Sequence, residues 1–307
     1  MHAAHEVKVA APAREVYRLL ADLGNWPWIL EPFVHAELIG VEGGFERAGM
    51  WTTSGDQVEH WVALRRLDEA ALRIDFRPER PAPPLASMER SWVVEPLSAT
   101  ECTVRLLHTY ELTDDGPEAR AATAQVIDTI ADGETAAVRT AAELLVATPE
   151  LLVEVTDTVD FDASPEAVYD ALFDAGAWPG ILPHVIRAEL LHDGGDHHLV
   201  EVDTAESRGG TLTMRTARVG RPHRVIAYKQ LVLPPIGTSH HVRWQLTPTE
   251  GGVTVTSVQT VVIKPEGIAQ LLGEGTDLTA ARGFVQRELS AKALLTLEGV
   301  KEHLGAR

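Results

Sequence analysis

Cysteine is nearly absent from this sequence, because Cys102 is the single one among 307 residues. One cysteine cannot close an intrachain disulfide and cannot build a cysteine-based zinc site. The composition therefore excludes disulfide-stapled secreted domains and zinc ribbons. We expect a protein of a reducing compartment, and we take the cytoplasm as its location.

Basic residues and long apolar runs are also scarce. The chain has 27 lysines and arginines against 45 aspartates and glutamates, a formal net charge of -18. Nucleic acids and anionic membranes are bound through basic surfaces, so neither is an expected partner. No uninterrupted apolar run is long enough to span a bilayer, and the amino-terminal residues lack the apolar core of a secretion signal.

The sequence does contain an internal repeat. A constant spacing of 152 positions separates several rare residues from their second copies, among them Val16-Tyr17 and Val168-Tyr169, Trp26-Pro27 and Trp178-Pro179, and Trp92 and Trp244. Many matches at one spacing indicate a duplication rather than chance. We therefore expect two homologous domains, residues 1–148 and 149–307, joined where Thr148-Pro149 interrupts a helical pattern.

Each repeat predicts the same α+β order: a strand, short helices, a run of antiparallel strands and a long helix. The long helices are predicted over residues 117–145 and 276–303. In the first, a predicted apolar stripe contains Ala122, Val126, Ile130, Ala137, Ala141 and Leu144. The economical arrangement is a curved antiparallel sheet wrapped around the long carboxyl-terminal helix, with a pocket between them.

The predicted strand Glu59 to Leu67 carries the most chemistry. Strand alternation places Glu59, Trp61, Ala63 and Arg65 on one face. If this face lines a cavity, Arg65 can stabilise negative charge on the oxygens of a carbonyl-rich ligand. If it faces water, Arg65 is a surface arginine, and the strand alone leaves both readings open.

The sequence resembles the polyketide aromatase/cyclases of bacterial type II polyketide synthases. Three features carry this resemblance: the order of elements, the Trp-Pro after the first helix, and the spacing of four positions between Trp61 and Arg65. These cyclases belong to the helix-grip superfamily that also contains the START and Bet v 1-like domains. The resemblance covers the whole chain, once per repeat. It implies a tandem duplication of a helix-grip domain.

The resemblance also implies a substrate and partners. The substrate would be a ketoreduced poly-β-ketone held as a thioester on an acyl carrier protein, and other components of the synthase would be partners. The enzyme would fold this chain, close the first ring by an aldol reaction and remove water to give an aromatic ring. No metal and no organic cofactor would be needed.

Three residues of the first repeat are candidates for catalysis. Arg65 matches the pocket arginine of the family, and it stays charged near an enolate or alkoxide. Glu59 would orient Arg65 or accept a proton, and His35 would be a general base near neutral pH. The plain alternatives are a solvated glutamate and a structural histidine.

Flat apolar side chains are candidates for binding the substrate. They are Trp26, Trp28, Phe33, Trp51, Trp61 and Trp92, and their plain alternative is to fill the core. Arg218 is the partner of Arg65 in the second repeat, on a strand that has lost the Trp and the Glu. We therefore expect the chemistry in the first repeat, with the second as scaffold, partner surface or second pocket.

Two histidine pairs, His197-His198 and His240-His241, invite a metal interpretation. Adjacent strand residues point to opposite faces, and no carboxylate follows at a metal spacing, so we expect no metal. Two other functions remain open, because fold alone does not fix function. One is a carrier of a hydrophobic small molecule, and the other is a regulatory domain with a vestigial pocket.

Overall fold

The computed structural model describes residues 1–205 and 210–306. It contains two seven-stranded sheets, and the paired strands are antiparallel. The strand order is β1-β7-β6-β5-β4-β3-β2 in the first sheet and β8-β14-β13-β12-β11-β10-β9 in the second. In each repeat the first strand therefore pairs with the last, β1 with β7 and β8 with β14. Strands β2 and β9 form the opposite edges of the two sheets.

The first repeat has seven strands and three α-helices. The strands are β1 His2–Val9, β2 Phe33–Glu42, β3 Phe45–Ser54, β4 Gln57–Asp68, β5 Arg73–Pro78, β6 Leu85–Pro96 and β7 Cys102–Leu112. The helices are α1 Ala13–Ala21, α2 Trp26–Ile29 and α3 Pro117–Ala147.

The second repeat has the same plan with one additional helix. Its strands are β8 Leu152–Phe161, β9 Val185–Asp193, β10 His197–Ala205, β11 Thr211–Arg221, β12 Val225–Gln230, β13 Gly237–Pro248 and β14 Val253–Ile263. Its helices are α4 Pro165–Phe173, α5 Trp178–Ile181, α6 Glu266–Leu272 and α7 Leu278–Gly305. The predicted α+β class and the tandem helix-grip duplication are confirmed.

The predicted apolar stripe of the long helix α3 is wrong in its first half. Val126 and Ile130 are 56% and 50% exposed, whereas the adjacent Ile127 and Ala131 are buried. The helix has apolar residues at consecutive positions, so two faces about 100° apart satisfy a helical period equally well. The buried face of α3 carries Thr123, Ile127, Ala131, Thr135, Val138, Ala141 and Ala142.

The Trp-Pro segments cap the first helix of each repeat. The last carbonyls of a helix have no partner within the helix. Trp26 donates from its indole Nε1 to the carbonyl oxygen of Leu20 at 2.9 Å, and Trp178 donates to that of Ala171 at 3.2 Å. Both tryptophans are buried, so the repeated Trp-Pro has a structural role at the end of α1 and α4.

Two compact units divide the chain: Met1–Trp51 with His60–Pro149, and Thr52–Glu59 with Glu150–Arg307. The predicted boundary at 148/149 stays a prediction. Among the described residues, no helix is both long enough and apolar enough to cross a membrane.

The repeats differ in the segment that leads into the long helix. Four residues separate β7 from α3, whereas fourteen separate β14 from α7 and include α6. Helix α6 packs closely on the second repeat, because a Cβ added at Gly267 would lie 2.0 Å from the carbonyl oxygen of Pro235. Ile268 is buried, and Gly273 and Gly275 follow with φ of 97° and 83°, values that favour glycine.

Candidate active site

A cavity of about 540 Å³ lies between the sheet and the long helix α7 of the second repeat. Its walls come mainly from strands β9 to β14 and from α7, as the helix-grip arrangement predicts, with further residues from α5, α6 and the loop after β12. Most of its lining surface is apolar, as in many small-molecule sites, and its polar side chains include the charged Arg218, Glu288 and Lys292. Apolar wall residues include Trp178, Val185, Val202, Leu212, Met214, Trp244, Val261, Phe284, Val285 and Ala293.

Arg218 brings a positive charge to the wall of this cavity. It lies on β11, where alternation puts Leu212, Met214 and Thr216 on the same side, and all four residues line the cavity. Its Nη2 donates to the carbonyl oxygen of Leu172 at 2.7 Å, in the last turn of α4. A cation is favourable at a helix carboxyl end, so this contact holds the guanidinium in place.

The charge of Arg218 is not neutralised by a carboxylate among the described residues. Three aromatic rings surround it instead, with their centroids 4.6 Å (Trp178), 5.6 Å (Tyr228) and 5.9 Å (Trp244) from its Cζ. These distances allow cation–π stabilisation. Burial lowers the pKa of Arg218 to about 10, so it remains protonated at neutral pH.

Tyr228 is the hydroxyl donor beside this arginine. It pairs with Arg218 in the β11–β12 ladder and packs edge-on against Trp244 at 5.3 Å. Burial raises the pKa of Tyr228 to about 12, so the phenol keeps its proton and can donate it to an oxygen anion. Arg218 and Tyr228 therefore form a donor-rich end of the cavity.

Arg65, the equivalent arginine of the first repeat, is bound differently. It is buried, and its Nη2 donates to the carbonyl oxygen of Ala21 at 2.9 Å, at the end of α1. It also forms an ion pair with Glu46 at 2.7 Å. Its Cζ lies 6.0 Å from the ring of Trp26. The carboxylate that neutralises Arg65 is thus Glu46 of β3.

The repeats differ at the position of this carboxylate. His198 stands 152 residues after Glu46 and lies opposite Arg218 in the β10–β11 register. Burial lowers the pKa of His198, and the positive charge of Arg218 lowers it further. His198 therefore adds no negative charge beside Arg218, and no carboxylate among residues 1–205 and 210–306 pairs with this buried cation.

Most aromatic candidates of the first repeat lie in or against its core. Trp26, Phe33 and Trp92 are buried there, and Trp28 and Trp61 are partly buried against it. Trp26 meets Phe33 edge-on at 5.0 Å. Arg65 shares this side of the sheet with Trp26, so these candidates come together.

His35 and Trp51 form a separate aromatic group. Trp51 stacks on His60 at 4.3 Å, and the ring of His35 lies 5.3 Å from Trp51. His35 also lies 3.6 Å from Glu37. Trp51 follows Met50 of the core in β3, and by strand alternation it faces the other side of the sheet. The structure therefore does not bring His35 to Arg65.

Glu59 is exposed near the start of β4, and its strand neighbour Trp61 is half-buried. Arg65 contacts Glu46, the carbonyl oxygen of Ala21 and the ring of Trp26, and the role expected for Glu59 stays a prediction.

A chain of amide and imidazole groups lies elsewhere on the cavity wall. His240 Nδ1 is 2.9 Å from Oε1 of Gln230, and its Nε2 is 3.1 Å from Oε1 of Gln259. Gln259 donates from Nε2 to the carbonyl oxygen of Leu289 at 2.9 Å. Burial lowers the pKa of His240 to about 4. His240 lines the cavity, whereas its neighbour His241 is buried without lining it.

Metal ligands do not gather in the described parts of the chain: no three His, Cys, Asp or Glu residues come together there as a possible metal site.

Sequence reasoning missed Tyr228, His198, Glu46 and the role of His240. Matches between the repeats reveal the duplication, but Tyr228, His198 and His240 stand at positions where the repeats differ. Phe76 becomes Tyr228, and Glu46 becomes His198, at the same spacing that relates the conserved tryptophans.

Comparison with known proteins fits this architecture. The family model described as "Polyketide cyclase / dehydrase and lipid transport" matches residues 1–143 and again 153–300. The chain belongs to this family.

Relatives of this family match nearly the whole chain. A granaticin polyketide synthase bifunctional cyclase/dehydratase of Streptomyces violaceoruber is 32% identical over 299 residues, covering 97% of this chain and 92% of the relative. An actinorhodin polyketide synthase bifunctional cyclase/dehydratase of Streptomyces coelicolor is 32% identical over 303 residues, covering 95% of this chain and 93% of the relative.

Solved structures of two-domain family members share the fold. The di-domain ARO/CYC BexL from the BE-7585A biosynthetic pathway superposes with a TM-score of 0.94 at 39% identity, covering 100% of this chain and 99% of BexL. The di-domain ARO/CYC StfQ from the steffimycin biosynthetic pathway gives 0.88 at 33% identity, covering 98% and 97%.

Proposed function

We propose that this chain is a polyketide aromatase/cyclase. It folds a poly-β-ketone, catalyses the aldol closure of the first ring and removes water to aromatise it. The family membership and the cyclase/dehydratase relatives support the reaction class. The substrate is delivered as a thioester of an acyl carrier protein, within a type II polyketide synthase of the cytoplasm.

The observation that carries the proposal is Arg218, buried in a largely apolar cavity with no carboxylate partner in the described part of the chain. Burying a charged group without a carboxylate partner is unfavourable for the empty protein. Such a cation interacts strongly with negative charge that develops on a bound ligand. A pure carrier of an apolar molecule gains little from this arrangement, whereas a cyclase gains stabilisation of its reacting oxygens.

The chemistry follows from the charges at this end of the cavity. Loss of a proton from a methylene between two ketones gives an enolate, whose oxygen Arg218 stabilises. The enolate carbon attacks another ketone, and the new alkoxide takes a proton. Tyr228 is a donor for that oxygen, because its phenol is protonated at neutral pH. Loss of water then forms the double bond that leads to the aromatic ring.

Positioning contributes as much as charge. Methylenes between two carbonyls are already acidic, so holding the flexible chain in one reactive conformation supplies a large part of the rate. The cavity walls from Trp178 and Trp244 are flat and suit a ring that becomes planar.

The first-repeat candidates Arg65, Glu59 and His35 stay predictions, and so does the expectation that this repeat performs the chemistry. Arg65 faces the interior, but Glu46 already neutralises it. We place the reacting chain in the second-repeat cavity, and we take residues 1–148 and 149–307 as the two domains. The first repeat then contributes structure or a second binding site.

Matched substitutions in a reconstituted synthase test this proposal. Arg218→Met is expected to shift products from the aromatised first ring to shunt products, while Arg65→Met leaves the product ratio close to wild type. Both variants are first checked for folding by circular dichroism. A product shift in Arg65→Met alone would move the chemistry to the first repeat.

The same assay tests the carrier alternative. If omission of the protein leaves the product profile unchanged while a polyketide still binds to it, the chain is a carrier. If omission abolishes the aromatised product and wild-type protein restores it, the chain is the cyclase.

A further inference from the structure

A chain of hydrogen bonds on the cavity wall links Gln230, His240 and Gln259 to the backbone carbonyl of Leu289. This carbonyl sets the direction of the chain. The carbonyl oxygen of Leu289 can only accept, so Gln259 must turn its amide NH2 towards it. The carbonyl oxygen of Gln259 then faces His240 Nε2, 3.1 Å away. This oxygen needs a donor, so the proton of His240 resides on Nε2.

The state of His240 fixes the next link. His240 is neutral near pH 7, because burial lowers its pKa to about 4. A neutral imidazole with its proton on Nε2 has an acceptor lone pair on Nδ1. The Gln230 atom placed 2.9 Å from this nitrogen is Oε1, so two acceptors would face each other. The oxygen and nitrogen of an amide have nearly the same shape, so a half-turn of the Gln230 amide puts its NH2 at Nδ1 and restores a hydrogen bond.

The end of the chain is therefore an acceptor. Once Gln230 gives its NH2 to His240, its carbonyl oxygen turns to the other side, and Gln230 lines the cavity. This oxygen is complementary to the donor-rich end at Arg218 and Tyr228, since Gln230 follows Tyr228 by two positions on the same face of β12. Strand β12 thus offers a donor at Tyr228 and an acceptor at Gln230, and Arg218 of the neighbouring β11 adds further donors.

We propose that His240 is a positioning residue that holds Gln230 as a hydrogen-bond acceptor for a hydroxyl or enol group of the ligand. The donor end binds a ketone or enolate oxygen, and Gln230 binds an O–H two strand positions further along. A ligand with a ketone at both places leaves the Gln230 oxygen without a donor, which disfavours its binding. The identity of the natural ligand rests on the proposed function, whereas the acceptor at Gln230 does not.

The first repeat has no histidine at the position equivalent to His240, and this difference suggests a control substitution. Met88 of β6 stands 152 residues before His240 of β13, the spacing that also relates Trp92 and Trp244 in these strands. Methionine cannot orient an amide through a ring nitrogen. His240→Met therefore removes the relay by installing the side chain that the other copy already has.

The first experiment reads the histidine directly. The full-length chain is labelled with 15N-histidine, and the signal that disappears in His240→Met is assigned to His240. At pH 7 we expect an unprotonated Nδ1 and a protonated Nε2. In Gln259→Leu, which removes the acceptor, we expect a mixture of both tautomers. A protonated Nδ1 or an imidazolium in the wild type overturns the relay.

The second experiment measures ligand choice with two planar probes, 1-naphthol and 1-methoxynaphthalene, by isothermal titration calorimetry. The first has a hydroxyl donor and the second does not. We expect the wild type to prefer 1-naphthol about tenfold, and Gln230→Leu to lose this preference. His240→Met is expected to reduce it, and Met88→Leu in the first repeat to leave it unchanged.

The outcomes separate this inference from the proposed function. A wild type without preference, or Gln230→Leu with the full preference, overturns the acceptor at Gln230. A chain that shows the expected tautomer and the preference but no cyclase activity keeps the acceptor and loses the proposed function.

Discussion

Arg218 pairs with Tyr228 across neighbouring strands, and the same register in the first repeat pairs Arg65 with Phe76. The two copies therefore keep the arginine and differ by one phenolic hydroxyl beside it. This hydroxyl belongs to the repeat with the described cavity. Phenylalanine and tyrosine differ by one oxygen atom, so either side chain can replace the other with little effect on packing.

The first prediction exchanges this hydroxyl. Tyr228→Phe is expected to lower the rate of cyclisation about 10- to 100-fold, because one donor to the developing oxygen anion is lost. The reverse exchange in the first repeat, Phe76→Tyr, is the matched control and is expected to leave the rate unchanged. Turnover is measured as aromatised product per enzyme, and an unaffected Tyr228→Phe removes the phenol from the mechanism.

The second prediction restores the missing carboxylate. His198→Glu places an acid opposite Arg218, as Glu46 stands beside Arg65. Neutralising the cation is expected to lower kcat about 10-fold or more, because the field at the reacting oxygens weakens. His198→Gln, which is neutral, is the control and is expected to stay near wild type. Equal losses in both variants would indicate a packing effect.

The third prediction compares the two arginines in stability. Arg65→Met leaves Glu46 without its partner and the Ala21 carbonyl without its donor, so we expect a loss of about 2 kcal/mol, or roughly 4–8 °C in Tm. Arg218→Met loses one hydrogen bond but relieves a buried charge. Its net change is expected to stay within about 1 kcal/mol. Differential scanning calorimetry distinguishes these results, and a larger loss in Arg218→Met contradicts the comparison.

The fourth prediction concerns acid. Burial lowers the pKa of His108 to about 3, and the charges of Arg90 and His5 contribute. The unfolded state takes up a proton near pH 6.5, whereas the folded state resists it until about pH 3, so stability is full above 6.5 and falls as the pH drops. At pH 5 this histidine alone is expected to cost about 2 kcal/mol.

Urea unfolding followed at pH 7.5 and at pH 5 checks this dependence. His108→Gln keeps a polar side chain without titrating, so its loss between the two pH values is expected to be smaller. His2→Gln, at an exposed histidine, is the matched surface variant against which the effect of His108→Gln is compared. A His108→Gln variant with the full loss would assign the pH dependence to other groups.

Much of the fold could be predicted from the sequence, because local patterns determine it. Pro165 and the apolar spacing after it are local signals for a helix start, and α4 begins at Pro165. The helix phase in α3 could not be read, since Val126 and Ile127 are adjacent and equally apolar. Tertiary packing decides between them and buries Ile127.

The site was harder to predict because it depends on contacts between distant strands. The alternation that places Arg65 inwards is local, but its partner Glu46 lies 19 positions away on another strand. Likewise, nothing local to His240 indicates that Gln230 and Gln259 flank its ring. Once the register of the strands is known, aligning the two repeats by it would have found His198 and Tyr228.

The additional helix α6 contributes to the wall of the cavity in the second repeat but carries none of the proposed reacting residues. Leu271 of this helix lines the cavity and is 41% exposed, whereas Arg218 and Tyr228 lie on strands that the inserted segment does not interrupt. A change of length between β14 and α7 leaves every strand register intact. Evolution can therefore vary what enters the cavity independently of what happens inside it, and transplanting residues 264–277 between relatives is a route to new substrates with the reaction unchanged.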